Sequence, residues 1–194
     1  MILYILVDTS GSMEGAKIGA LNDLMDNIIS ELNDIDSSLR SEMKIAVLQF
    51  ARSVRWMHDE PCLLSNFKWE YLEANGMTSF GKACIELSEH IERDCSHEDF
   101  CTIVISDGCP TDDYEEGLEF LNGNMRFFKS KRYAIALDGA DIPSLARFTD
   151  DCNNILPLSS LGELFNTILL TIKQTSREDY NTKKVVSDDD DEWS

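Results

Sequence analysis

Basic residues are scarce in this chain: 17 Lys and Arg stand against 36 Asp and Glu in 194 residues, a formal net charge of -19. Five of the acids lie in the run Asp188 to Glu192, and the remaining 31 still outnumber the bases. Such a surface repels a phosphate backbone, which argues against nucleic acid and favours metal cations and basic protein surfaces. Long apolar runs are missing too. The first, Ile2 to Val7, meets Asp8 too early to be a secretory signal or a membrane span, and no later stretch is long and apolar enough to cross a bilayer. The six cysteines (Cys62, Cys84, Cys95, Cys101, Cys109 and Cys152) contain no CxxC pair, so they read as free thiols and the chain as cytoplasmic. Cys95, His97, Cys101 and Cys109 fit no zinc spacing well. His58, His90 and His97 have no partner at ligand spacing and read as surface or boundary residues. Neither a GxGxxG phosphate loop nor a GxSxG nucleophile elbow is present.

What the chain does have is concentrated at its start. Ile2-Leu3-Tyr4-Ile5-Leu6-Val7 is a short apolar run rich in branched residues, the pattern of a strand buried on both faces. It ends in Asp8-Thr9-Ser10-Gly11-Ser12, where Asp8, Ser10 and Ser12 present oxygen-bearing side chains on alternate residues of a tight turn. A carboxylate flanked by neutral hydroxyls suits a hard divalent cation such as Mg2+, which takes oxygen ligands and keeps some of its water.

Strands and helices then alternate. Ile18, Leu21, Leu24, Met25, Ile28, Ile29 and Leu32 form the stripe of a long amphipathic helix. Lys44 to Phe50 reads as a second strand and Val54 to Met57 as a third, joined by three residues, a link that only an antiparallel hairpin can make. Residues 58–77 read as a connection with a short helix near Trp69 to Glu73. Gly76-Met77-Thr78-Ser79-Phe80-Gly81 leads into a helix whose apolar side is Ala83, Cys84, Leu87 and Ile91. Cys101 to Ser106 is another buried strand that stops at an acid, Asp107-Gly108. Pro110, Thr111 or Asp112 as N-cap, and Asp113, Glu115 and Glu116 announce the following helix. Two further strand-helix units run from Arg132 to Asp150 and from Ile155 to about Lys173.

This alternation predicts an α/β fold: a doubly wound, mostly parallel six-stranded sheet with one antiparallel edge strand and helices on both faces. The domain is expected to span residues 1–175, with 176–194 an acidic, solvated tail. Ligands of such sheets bind outside the carboxyl ends of the strands, near the point where strand order reverses. Asp8 and Asp107 both stand at carboxyl ends, so the first loop, the Thr78 loop and the Asp107 loop are expected to converge.

Asp8-Thr9-Ser10-Gly11-Ser12, Gly76-Met77-Thr78 and Ile105-Ser106-Asp107-Gly108, in this order, resemble the metal-ion-dependent adhesion site (MIDAS) of von Willebrand factor type A (VWA) domains. The resemblance covers residues 1 to about 175 and is closest to small bacterial VWA proteins, among them those associated with tellurium resistance. It implies a protein-binding module of an intracellular bacterial complex or stress-response system. It further implies that Ser10 and Ser12 bind Mg2+, Mn2+ or Ca2+ directly, Thr78 directly or through water, and Asp8 and Asp107 mostly through water. One metal position is then left for an Asp or Glu of another protein. The physical logic holds apart from the family: neutral hydroxyls leave the cation's charge uncompensated, so an incoming carboxylate gains more.

Simpler readings compete. Ser10 and Ser12 can cap a helix, Thr78 can cap the next one, and Asp107-Gly108 can be a plain turn. The alternative function is a Mg2+-dependent phosphoryl hydrolase of the phosphoaspartyl type, resembling the haloacid dehalogenase group. That chemistry needs an Asp two residues after the nucleophile as general acid, and the position holds Ser10. The chain is therefore read as a binding protein and not as an enzyme.

Overall fold

The computed structural model describes residues 1–33, 43–94, 98–107 and 109–170. The acidic tail, the domain boundary near 175, Cys95 and His97 lie outside the described residues. The chain divides into two compact units, Met1–Leu161 and Gly162–Ser194. Of the second, the described residues 162–170 continue a helix that starts at 161. All strands among the described residues and every candidate site residue belong to the first.

Strand β1 (Ile2–Asp8) is buried along its whole length, as its continuous apolar run requires. It leads to α1 (Ala16–Asn33), β2 (Lys44–Phe50), β3 (Val54–Trp56), β4 (Cys62–Leu63) and α2 (Phe80–Asp94). Then come β5 (Phe100–Ser106), α3 (Tyr114–Gly123), α4 (Met125–Lys129), β6 (Lys131–Ala136), α5 (Ile142–Thr149) and β7 (Ile155–Pro157). The main path of the sheet is β3-β2-β1-β5-β6-β7, and β4 also pairs with β2. Pairing is parallel from β2 through β7, with Val7 opposite Gln49 on one side and Ile105 on the other.

The hairpin forced by the three-residue link is present: β3 runs antiparallel to β2 at the sheet edge. The sheet has seven strands rather than six, because the two-residue β4 adds a second antiparallel pairing, Lys44 with Leu63 and Ile45 with Cys62. Two residues are too short a run to carry a strand signal. A second correction concerns Trp69 to Glu73, which is not helical. The buried Asn22 of α1 holds this segment instead: its Nδ2 donates to the Leu72 carbonyl (2.9 Å), while its Oδ1 accepts from Leu72 N (2.9 Å) and Trp69 Nε1 (3.1 Å). A side chain distant in sequence has taken the hydrogen bonds that a helix would have made.

One layer of the core gathers Tyr4 and Leu6 of β1 with Leu48 and Phe50 of β2, Phe80, Cys84 and Leu87 of α2, Leu118 and Leu121 of α3, and Leu145 and Phe148 of α5. Alternation turns Leu3, Ile5 and Val7 to the other face, and the buried stripe of α1 (Ile18, Leu21, Met25, Ile28, Ile29) lies outside that cluster. Helices α2 and α3 cross at two glycines. A Cβ on Gly117 would lie 2.2 Å from the Gly81 carbonyl oxygen, and one on Gly81 would lie 2.4 Å from the Asp113 carbonyl oxygen. Phe80 stacks on Phe50 (5.2 Å between centroids) and on Tyr114 (4.8 Å) beside that crossing.

Candidate metal centre

Strand order reverses at β1, which has β2 on one side and β5 on the other. The first loop leaves the end of β1 and the Asp107 loop leaves the end of β5, so both open at the crevice where doubly wound sheets bind ligands.

Asp8 is completely buried. Its Oδ1 accepts from the backbone N–H of Ser10 (2.9 Å) and its Oδ2 from the Ser106 hydroxyl (2.6 Å). Burial pushes its pKa above the ordinary carboxylate value; the hydrogen bonds from Ser106 and Ser10 oppose the shift, and the neighbouring Asp107 charge adds to it. Past Asp8 the chain makes a 3-10 turn, Gly11–Met13, anchored by the fully buried Met13. The hydroxyls of Ser10 and Ser12 lie 3.0 Å apart, and Ser12 donates to Asp107 Oδ1 at 2.7 Å. Lys17, in the first turn of α1, donates to Asp107 Oδ2. Asp8, Ser10, Ser12 and Asp107 are thus one hydrogen-bonded group across two loops that are 95 residues apart at the Ser12–Asp107 contact.

The capping reading of the serines fails on this geometry. Ser10 precedes the 3-10 turn but its side chain makes no cap hydrogen bond, and Ser12 lies inside that turn, not at the start of α1. Helix α1 begins only at Ala16.

Thr78 is placed by backbone contacts. Gly76, at φ +84, gives the loop a turn that an L side chain resists, and its carbonyl accepts from Gly11 N (2.9 Å). Asn75 N donates to the Thr9 carbonyl (2.8 Å), which ties this loop to the first one a second time. Thr78 itself is 4% exposed, not the open loop residue that its surroundings in sequence suggest. Its N–H donates to Thr111 Oγ1 (3.0 Å), and its carbonyl accepts from the N–H (2.9 Å) and hydroxyl (3.2 Å) of Thr111. The next helix is capped from elsewhere: Asp112 accepts from Gly81 N (3.0 Å) and Lys82 N (2.9 Å) of α2. This also corrects the expected cap of α3. Asp113 takes that role, accepting from Glu116 N (3.3 Å), because Thr111 and Asp112 are engaged with the Thr78 loop and α2.

All five sequence-predicted residues stand on loops joined to one another, four of them by direct side-chain or side-chain-to-backbone bonds. Four more were missed. Ser106 carried a weak signal, as the polar end of an apolar strand next to Asp107; Thr111 and Asp112 read only as caps of the following helix and Lys17 carried no signal, because their partners are 30 to 90 residues away. The donor set is entirely oxygen, with two carboxylates and two hydroxyls in mutual contact, and it fits the preference of Mg2+, Mn2+ or Ca2+. A positive charge, the Lys17 ammonium, is already drawn to it. Among the described residues no three His, Cys, Asp or Glu side chains gather as an alternative metal cluster.

No protein-family pattern matches the sequence, and no curated protein does. Solved structures do match in shape. The ArnB paralog VWA2 from Sulfolobus acidocaldarius aligns with a TM-score of 0.63 at 17% identity, over 84% of this chain and 43% of that one. A von Willebrand factor type A protein from Catenulispora acidiphila aligns at 0.60 and 16%, over 87% and 41%. Proximal thread matrix protein 1 from the mussel byssus, in a form with a zinc-occupied MIDAS motif, aligns at 0.61 and 15%, over 88% and 45%. The chain therefore spans less than half the length of each of these proteins. Identities this low speak to architecture, and the architecture of this chain is that of the von Willebrand factor type A domains.

Proposed function

We propose that the chain is a divalent-cation-dependent protein-binding module in which Asp8, Ser10, Ser12, Thr78 and Asp107 hold Mg2+ or Mn2+, with Ca2+ as the alternative ion. When bound, the cation supplies a positive centre with one position open to an Asp or Glu of a partner protein. The observation that carries the reading is the joined cluster of Asp8, Ser10, Ser12 and Asp107 at the carboxyl ends of two adjacent strands. Ser10 and Ser12 contribute neutral oxygen and leave charge for the partner. Asp8 has both oxygens taken by Ser10 N and Ser106, so it is fixed in orientation. The double tie between the Thr78 loop and the first loop keeps the sides of the site at a set distance before anything binds.

The site is a binding device and not a catalytic one. A phosphoaspartyl hydrolase needs a carboxylic acid two residues after the nucleophile, and at that position Ser10 offers only a hydroxyl, a far weaker acid. The intracellular assignment rests on Cys84 and Cys101, buried in the core as free thiols, as expected of a reducing compartment. Within it, a complex of the kind suggested by the tellurium-resistance resemblance is the reading we adopt, with neither nucleic acid nor membrane as partner.

Titration calorimetry of Mg2+ and Mn2+ into the wild type and Ser10→Ala/Ser12→Ala tests the cation. Binding by the wild type and none by the double variant is expected; equal binding by both would sink the assignment. Hydrolysis of an aryl phosphate by purified protein, abolished by Asp8→Asn, would instead favour the enzyme.

A further inference from the structure

We propose that Lys17 is a tethered counter-cation of this site, one that lowers its affinity for metal and raises the affinity of the metal-loaded site for a carboxylate. The inference rests on the reading of the site as a cation-binding carboxylate receptor and assigns a residue that the sequence motif does not contain.

Its basis is a count of charge. The Asp107 side chain is 1% exposed and that of Lys17 is 31% exposed, so the ammonium reaches in from the surface along its aliphatic stem to a buried carboxylate. Asp107 has its other oxygen on Ser12, so each of its oxygens already accepts one hydrogen bond. Asp8 is as deeply buried, and among the described residues it makes no ion pair; its hydrogen bonds come from neutral donors, those of Ser10 and Ser106. With both carboxylates ionised, the group of Asp8, Asp107 and Lys17 carries one net negative charge. A divalent cation turns this into one net positive charge, and a single incoming carboxylate cancels it. Without Lys17 the two carboxylates would cancel the cation over the whole group, even with only hydroxyls in direct contact with it, and a partner's carboxylate would be buried as an excess negative charge, which is costly in a site of low dielectric.

Two effects follow from the same ammonium. It repels an arriving cation and occupies an oxygen of Asp107, so metal binds more weakly than the five oxygen ligands alone would allow. It then stays beside the loaded site, where it favours the acidic partner. An ordinary surface ion pair would do neither: its loss would cost the same small stability with metal present or absent.

The test uses the full chain as wild type, Lys17→Met, which keeps most of the stem, and Lys17→Arg, which keeps the charge. Mn2+ alone is titrated by calorimetry, and thermal midpoints are recorded in EDTA and in saturating Mn2+. Lys17→Met is expected to bind Mn2+ roughly tenfold more tightly, as fits one like charge removed beside a cation at a partly exposed site. It should melt below the wild type in EDTA, because Asp107 is left buried without its counter-charge, and this deficit should disappear in Mn2+. Lys17→Arg should follow the wild type in both. If the wild type binds Mn2+ and Lys17→Met binds it no more tightly, or if its melting deficit is the same in EDTA and Mn2+, the role of Lys17 is overturned and the metal site stands. If neither the wild type nor Lys17→Met binds Mn2+, the metal site itself is overturned, and the role of Lys17 with it.

Discussion

The α2–α3 crossing and the carboxyl end of the sheet are both closely assembled, but by opposite means. At the crossing, Gly81 and Gly117 let two backbones meet and aromatic rings fill the space beside them. At the carboxyl end, three loops meet through hydrogen bonds and charge, with Asp8 and Asp107 both out of water. The crossing has no room for an added atom, while the polar end can lose a hydroxyl and keep its shape. Burial that raises the Asp8 pKa is a cost to folding at neutral pH, whereas apolar contact at the crossing contributes to stability. The difference teaches that apolar packing stabilises one end of this domain, while the other keeps two carboxylates out of water at a cost to folding.

Adding a single carbon at the crossing is the strongest way to break the contrast. Gly117→Ala places a Cβ against backbone that cannot rotate away, and it should cost about 3 kcal/mol or prevent folding, read by chemical denaturation. At the carboxyl end, Ser10→Ala/Ser12→Ala removes two oxygens with little change in volume. It should abolish Mg2+ and Mn2+ binding in calorimetry, while stability falls only by about 1 kcal/mol for each hydrogen bond lost. A stability loss as large as that of Gly117→Ala would show that the polar end holds the fold after all.

Thr78→Val sharpens the comparison within the site. Thr78 is buried, so the nearly isosteric change should cost on the order of 1 kcal/mol rather than nothing, while its backbone ties to Thr111 remain. Capture of an acidic partner should weaken as much as with EDTA, and the two treatments should not add. Capture that fades with salt and ignores both would point instead to a basic face of the partner held by the acidic surface through charge alone. Asp112→Ala tests the link between the two regions, since it caps α2 from the α3 side. It should cost about 1 kcal/mol by thermal or urea unfolding and leave metal affinity nearly unchanged.

The smallest effect belongs to the sheet edge. His90 stacks on Trp56 (3.9 Å between centroids), and its buried Nε2 has no hydrogen-bond partner among the described residues. Burial first, and Arg93 second, hold its pKa below the ordinary histidine value. The unfolded chain therefore takes up the proton more readily, and stability should be full above about pH 6.5 and decline as pH falls toward the lower folded value. Thermal midpoints between pH 5 and 7 should fall less steeply for His90→Gln than for the wild type; parallel profiles would remove His90 from the account.

The sequence by itself determined the strands, the order of the main elements and the loops that meet at the site. Ile2 to Val7 and Cys101 to Ser106 have nowhere to go but the middle of a parallel sheet, and the three residues between β2 and β3 permit only a hairpin. Because a parallel sheet brings carboxyl ends together at a reversal of strand order, Asp8, Ser10, Ser12 and Asp107 were legible as neighbours before any coordinate, and Thr78 joined them through the motif resemblance. Tertiary structure alone decided the rest. Cys62–Leu63 is a strand only because β2 has a free edge there, and Trp69 to Glu73 is not a helix because Asn22 offers it other hydrogen bonds. Thr111 and Asp112 serve the Thr78 loop and α2 in preference to their own helix. Lys17 finds Asp107 across a gap of 90 positions. Local pattern encodes which backbone conformation a segment prefers and which face it buries, but not which distant donor meets which acceptor once the loops have closed, since that depends on the packing of the whole chain.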